Sequence, residues 1–278
     1  MKNLKVGLQL YSVRDKMEQD MEETLKAVKE MGYDYVEFAG YFGKSAEEVK
    51  ALLDKTGLKC ISVHQTYDVF LDAPEENVEY LKTIGAKYCA VPWMGPENHK
   101  GNPGFEKAVE DIRNIGKLLK ENGITMLYHN HDFEFGKYEE KYLFDWLYDT
   151  VGLNLLKPEI DTCWVKYAGE DPCRYLEKYA EDIDIVHLKD FVCDRFADGP
   201  VYALIDNSGK ETDPKKSREN NGFKFRSIGS GLQNFEEILA SVRKTNAEYV
   251  IVEQDQWYDD DSLELARKSR EYLKGLGV

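Results

Sequence analysis

Acids and histidines follow short apolar runs repeatedly along this chain. Glu37 follows Tyr35-Val36, His64-Gln65 follow residues 58–63, and Pro92-Trp93 follow residues 87–91. His129-Asn130-His131-Asp132-Phe133-Glu134 comes after residues 124–128, and Asp161 ends residues 155–160. His187-Leu188-Lys189-Asp190 follows residues 183–186, and Glu253-Gln254-Asp255 follows residues 249–252. Four of the five histidines occupy such positions, and only His99 lies elsewhere. A mixed Glu/Asp/His set without thiolates suits a hard or borderline divalent cation such as Mn²⁺, Mg²⁺, Co²⁺ or Zn²⁺. Glu253 emerges from Val250-Ile251-Val252, and a buried carboxylate costs several kcal/mol unless it is paired. A cation is therefore its expected partner. Asp161 and His187 read the same way, although Asp161 could also cap the turn into Thr162 and His187 could form a salt-bridged rim with Lys189. His129 and His131 alternate on one strand and should face the same side. Glu37 reads as a group in the mouth of the fold, facing substrate or hydrogen-bonded to its neighbours.

Such residues act together only if the fold brings the strand ends to one rim. The hydrophobic pattern does this. Strand-like and helix-like stretches alternate from residue 4 to residue 274, in eight units of roughly 25–35 residues. Helix boundaries are marked locally: Asp20 with Glu23 and Asn234 with Glu237 as capping pairs, Asp171-Pro172 as cap and first turn, and Gly32, Gly57 and Gly85 as terminators. No G-x-G-x-x-G follows the first strand, which runs into Gln9-Leu10-Tyr11-Ser12, so an open nucleotide-binding sheet is disfavoured. The expected fold is α/β, a single (β/α)8 barrel over residues 1–278. Its active face lies at the C-terminal ends of the strands. Residues 191–227 form an unusually long, turn-rich connection between strand 7 and helix 7, expected to act as a lid.

Composition narrows the function. The net charge of −15 repels phosphate backbones, which argues against nucleic acid as a partner. No apolar run approaches the roughly 20 residues of a membrane span. The N-terminus moves straight into a strand pattern without a signal-like segment, so a cytoplasmic location is expected. The five cysteines include no C-x-x-C pair, and Cys60 and Cys89 read as buried thiols. Trp93, Trp164 and Trp257 fall just after strands 4, 6 and 8, as an aromatic wall for a sugar ring or as rim packing.

The chain resembles the xylose isomerase-like barrel enzymes, the sugar phosphate isomerases/epimerases. The resemblance rests on Gly7-Leu8-Gln9-Leu10-Tyr11-Ser12, Tyr128-His129-Asn130-His131 through Glu134-Phe135, Glu159-Ile160-Asp161-Thr162, His187-Leu188-Lys189-Asp190, Ile228-Gly229-Ser230-Gly231 before Asn234-Phe235, and Val252-Glu253-Gln254. Each segment is short; their order and spacing span nearly the whole chain. The resemblance implies one divalent metal, Mn²⁺ first, held by two glutamates, an aspartate and a histidine. Asp161, His187 and Glu253 match three ligands. The fourth falls on the His129–Glu134 segment, assigned to Glu134 with His131 as the alternative. Because ketose epimerases carry this glutamate on strand 5 itself, the chain looks more like the inosose dehydratase and keto-sugar branch.

The implied chemistry is proton abstraction next to a carbonyl, through an enediolate stabilised by the metal. His131, Glu134 and Glu253 are the candidate catalytic residues. Glu37, His64, Trp93, His129 and Lys189 are the candidate substrate-binding residues. The first expectation is an isomerase or epimerase acting on a keto-sugar or sugar-like polyol. The alternative is a lyase, either an inosose-type dehydratase or a 3-keto-glycoside β-eliminase, with Lys189 or His129 as acid. A metal-dependent endonuclease and a non-catalytic subunit rank below these. A phosphorylated substrate would need cations or a backbone nest, for which Lys189, Arg226 and Gly229-Ser230-Gly231 are available. A homo-oligomer is expected by analogy alone.

Overall fold

The computed structural model describes residues 2–197 and 218–278. Eight parallel strands close into a barrel: β1 (Lys5–Gln9), β2 (Tyr35–Phe38), β3 (Lys59–His64), β4 (Tyr88–Val91), β5 (Thr125–His129), β6 (Lys157–Asp161), β7 (Ile185–Leu188) and β8 (Tyr249–Val252). Each pairs with its sequence neighbours, and β1 closes the ring on β8. Strands covered on both faces should be apolar throughout; β7 and β8 are buried at every position.

The strand period of two sets the character of the interior. Low in the barrel, Ile61, Ala90, Leu127, Ile185, Tyr249 and Ile251 pack as a separate apolar plug. Two residues further along their strands, inward positions turn polar: Leu127 gives way to His129, Ile185 to His187 and Ile251 to Glu253. The plug is floor to the site. A register shift between Val36 and Glu37 in the β2–β3 pairing sets the position of Glu37; bulges often re-aim side chains in this way.

Helices wrap the barrel with the expected end chemistry. Asp20 accepts from the Glu23 N–H, Ser45 and Glu48 complete a reciprocal capping box, and Gly57 and Gly85 end their helices in the left-handed conformation. Local differences from expectation are informative. β7 begins at Ile185, two residues later than expected, because Ile183 packs in the outer core ahead of the strand. A short helix Thr162–Tyr167 precedes the expected one at Pro172–Lys178. Asp190–Val192 and Lys224–Arg226 pair as an antiparallel arm at the root of the long connection. The rest of the expected lid, residues 198–217, lies outside the described residues. No helix among the described residues is long and apolar enough to cross a membrane.

Candidate metal centre and active-site cavity

Four side chains from the last four strands meet at the barrel mouth. His129, Asp161, His187 and Glu253 each offer a ligand atom, and these atoms all lie within 4.8 Å of one another. All four residues are buried. Asp161 divides its carboxylate between two tasks. Oδ1 accepts from the N–H groups of Cys163 and Trp164, at 2.7 and 3.2 Å, and caps the short helix. Oδ2 faces His129 Nε2 at 3.2 Å and Lys189 Nζ at 3.1 Å. The capping and chemical readings of Asp161 thus use different oxygens.

A second set lies against the first and shares His187: Glu37, His64, Glu159 and His187 also converge within 4.8 Å. His187 Nε2 is 2.7 Å from Glu37 Oε2, while its Nδ1 is 3.0 Å from Glu253 Oε2. His64 Nε2 lies 2.8 Å from Glu159 and 3.1 Å from Glu37. Gln9 donates to Glu37 at 2.8 Å. Burial pushes the Glu37 carboxyl up, but the two imidazoles outweigh it and hold the group well below the usual range. Burial also opposes charge on His64, yet Glu37 and Glu159 lift it to about 10. Glu159, desolvated and next to Glu37, is raised.

Three further groups complete the electrostatics. Lys189 Nζ sits 2.8 Å from Glu253, 3.1 Å from Asp161 and 3.1 Å from Asp255. Despite burial, these three carboxylates hold it charged. Desolvation lifts Asp255 to about 6 against the pull of Lys189. His131 is driven well below the ordinary histidine range, first by burial and then by His129, Lys189 and Arg218. Its ring stacks on Phe133 and lies tilted against Trp164. At neutral pH it is an uncharged imidazole beside a buried ammonium.

A cavity of about 660 Å³ opens above these groups, lined in part by His64, Trp93, His129, His131, Trp164, Lys189, Glu253 and Asp255. Of the expected substrate-facing residues, His64, Trp93, His129 and Lys189 line it; Glu37 is buried behind His187 and His64 instead. Trp257 is also outside the wall, its indole donating to the Ser12 carbonyl at 2.6 Å.

The structure does not bring Glu134 to either set. Its carboxylate accepts from the Tyr128 hydroxyl at 2.5 Å and from the His131 N–H at 2.7 Å, which fixes the loop after β5. Neither does the His131 ring join a set; the strand-5 member is His129. Glu159 joins the second set from one inward position below Asp161, inside the strand and not at its end. Its spacing of two from Asp161 was the available signal, since both must face inward. The supposed anion nest is also filled from within: the N–H groups of Gly229, Gly231 and Gln233 all donate to the Asp190 carboxylate, at 3.0, 2.8 and 3.2 Å. Arg226 turns to the Phe225 carbonyl at 2.8 Å.

A buried carboxylate–imidazole set at the C-terminal mouth of a closed barrel defines a metal-dependent enzyme. The chain belongs to the xylose isomerase-like TIM barrel family, whose model matches residues 25–276. It is 25% identical to an inosose dehydratase of Clostridium perfringens (strain 13 / Type A) over 281 residues, covering 92% of this chain and 90% of that one. It is also 25% identical to an inosose dehydratase of Geobacillus kaustophilus, over 61% of each chain. A crystal structure of a sugar phosphate isomerase/epimerase from Parabacteroides distasonis ATCC 8503 superposes with a TM-score of 0.75 at 20% identity, covering 99% of this chain and 94% of that one. The chain is thus related to sugar-processing isomerases, epimerases and dehydratases.

Proposed function

We propose that His129, Asp161, His187 and Glu253 hold one divalent cation, Mn²⁺ first and Mg²⁺, Co²⁺ or Zn²⁺ next, and that the enzyme enolises a keto-sugar or keto-polyol. The donor set fits such an ion: two carboxylates and two imidazoles, all buried, with no thiolate. A ligating imidazole gives one nitrogen to the metal and donates from the other to a partner that orients it. His187 meets this condition with Nδ1 toward Glu253 and Nε2 against Glu37. The second set then serves as support for one site. When bound, the ion supplies Lewis-acid stabilisation of negative charge developing on substrate oxygen.

The chain's own residues do the rest. His131 takes the α-proton; its Nδ1 is buried, which leaves Nε2 as the nitrogen available to the cavity. Its depressed basicity keeps it unprotonated and ready at neutral pH. Lys189 and Asp255 line the same cavity as a hydrogen-bonded pair, 3.2 Å from Nζ to Oδ2, able to hold a proton for return to the substrate. Return of the proton to carbon gives isomerisation or epimerisation, the primary reading. The carrying observation is that His131 lines one cavity with His129 and Glu253 of the buried quartet.

A second reading is supported by Lys189. A buried ammonium in the cavity wall suits protonation of a departing β-oxygen, and the curated relatives are inosose dehydratases. Proton NMR of the metal-loaded protein in D2O with keto-sugars and inososes separates the two. Deuterium at the α-carbon without loss of water supports isomerisation or epimerisation. An enone or diketone product supports the lyase. No exchange with any substrate overturns enolisation.

A further inference from the structure

His131 stands two residues beyond the end of β5, and Tyr11 stands two residues beyond the end of β1. In the closed ring of eight strands β1 and β5 lie four apart in either direction, so the two residues leave opposite walls, and both line the cavity. Tyr11 is held from several directions. Its N–H donates to Gln9 Oε1 at 3.0 Å, and Gln9 Nε2 donates at 2.8 Å to Glu37, which meets His187. The Arg14 guanidinium lies over the Tyr11 ring, 3.8 Å from its centre, and donates from Nη1 to the Tyr11 carbonyl at 2.8 Å. The same guanidinium is 4.4 Å from the ring centre of Trp257, whose indole donates to the Ser12 carbonyl. In a chain with 52 acidic and 37 basic residues, Arg14 pairs with no carboxylate among the described residues. Its charge rests on two aromatic rings instead, and the planar fork fixes the ring it covers. The Tyr11 hydroxyl makes no hydrogen bond among the described residues. A phenol fixed this firmly in a cavity wall, with its donor unused, is prepared for a partner that enters the cavity.

We infer that Tyr11 is a substrate-binding residue whose hydroxyl donates to a substrate oxygen on the side turned away from His131, and that Arg14 is the residue that positions it. This deepens the enolisation reading and rests on it for the occupant of the cavity: His131 works on one side of the reacting molecule and Tyr11 holds the other. Burial lifts the Tyr11 phenol further above its ordinary range, against the pull of Arg14, so the group stays a neutral donor. A site built to bond one oxygen discriminates against the compound that lacks it. Trp257 also gains a part, as the back of the clamp and not as a wall for the sugar.

Titration calorimetry of the full, metal-loaded chain tests this with xylitol and myo-inositol, polyols that have no carbonyl and cannot enolise. Tyr11→Phe keeps the ring and its stacking and removes only the hydroxyl. It should weaken binding of at least one polyol about five- to tenfold, with metal content and melting temperature as in the wild type. Arg14→Met should weaken the same binding in the wild-type background and add no more than about twofold in the Tyr11→Phe background. A residue that acts through the hydroxyl has nothing to place once the hydroxyl is gone. If Arg14→Met fails to fold, Arg14→Lys, which keeps the charge without the planar fork, takes its place. Binding by Tyr11→Phe within about twofold of the wild type, or no binding of either polyol by the wild type, overturns the assignment of Tyr11. Additive losses in the double variant overturn the positioning role of Arg14. Deuterium exchange on keto-sugars with polyol binding unaffected by Tyr11→Phe would sink this inference alone. Hydroxyl-dependent polyol binding with no exchange on any keto-sugar would sink the enolisation reading alone.

Discussion

His187 can give a cation only one of its two nitrogens, and its neighbours decide which. Glu37 lies at 2.7 Å from Nε2, is fully buried and is not among the cavity-lining residues. In the proposed metal site this contact gives Glu37 the part of orienting the His187 ring. Glu37→Gln keeps the shape but loses the charge, and should lower metal affinity about 10–100-fold, measured by competition with a chelator. Unchanged affinity would remove Glu37 from that role. Glu134 makes a different prediction. Burial lifts its carboxyl from 4.5 to about 7. The native chain therefore keeps a proton between these values that the unfolded chain has released. Its favourable contribution is full below about pH 4.5 and is lost as pH rises toward 7. Glu134→Gln should flatten this part of the stability–pH curve and gain on the order of 2–3 kcal/mol at pH 8, read by urea melts at pH 5, 6.5 and 8. Parallel curves for the two proteins would contradict the assignment.

At the level of elements, the arm at the root of the long connection is held by one carboxylate. Asp190 gathers the N–H groups of Gly229, Gly231 and Gln233, and a Cβ on Gly231 would lie 2.3 Å from Asp190 Oδ1. Asp190→Ala should cost about 2–4 kcal/mol in chemical denaturation by leaving several N–H groups unpaired, while Asp190→Asn should cost less. Most barrel elements could be read from sequence because their signals are local: apolar runs of strand length, Asp20, Ser45 and Asn234 as caps, Gly57 and Gly85 as stops. The rim residues were legible for the same reason, since Asp161, His187 and Glu253 each close or follow a strand. Glu159 was missed because its role depends on depth inside the barrel, one inward position below Asp161. His129 was placed on the rim, but its partnership with Asp161 depends on the neighbouring strand. Glu134 stands apart from both sets because Tyr128 and the His131 backbone occupy its carboxylate, a contact that only tertiary structure shows. The pairing of Asp190–Val192 with Lys224–Arg226 spans a long connection and leaves no local signal.

For the molecule as a whole, the apolar plug low in the barrel supports a buried layer of paired carboxylates, imidazoles and one ammonium above it. A chain of net charge −15 that packs Glu37, Glu159, Asp161 and Glu253 together gains from a cation that binds only the folded state. Saturating divalent metal should raise the melting temperature by about 5–10 °C over the chelated protein, followed by calorimetry. No shift with any of Mn²⁺, Mg²⁺, Co²⁺ or Zn²⁺ would count against a structural share for the metal. The central claim is that this metal sits among His129, Asp161, His187 and Glu253. Metal content per chain, measured on the purified wild type, Asp161→Asn and Glu134→Gln, tests it most directly. One divalent ion in the wild type and in Glu134→Gln, with most of it lost from Asp161→Asn, is the predicted result. Retention in Asp161→Asn together with loss from Glu134→Gln would contradict it and move the site to the loop after β5.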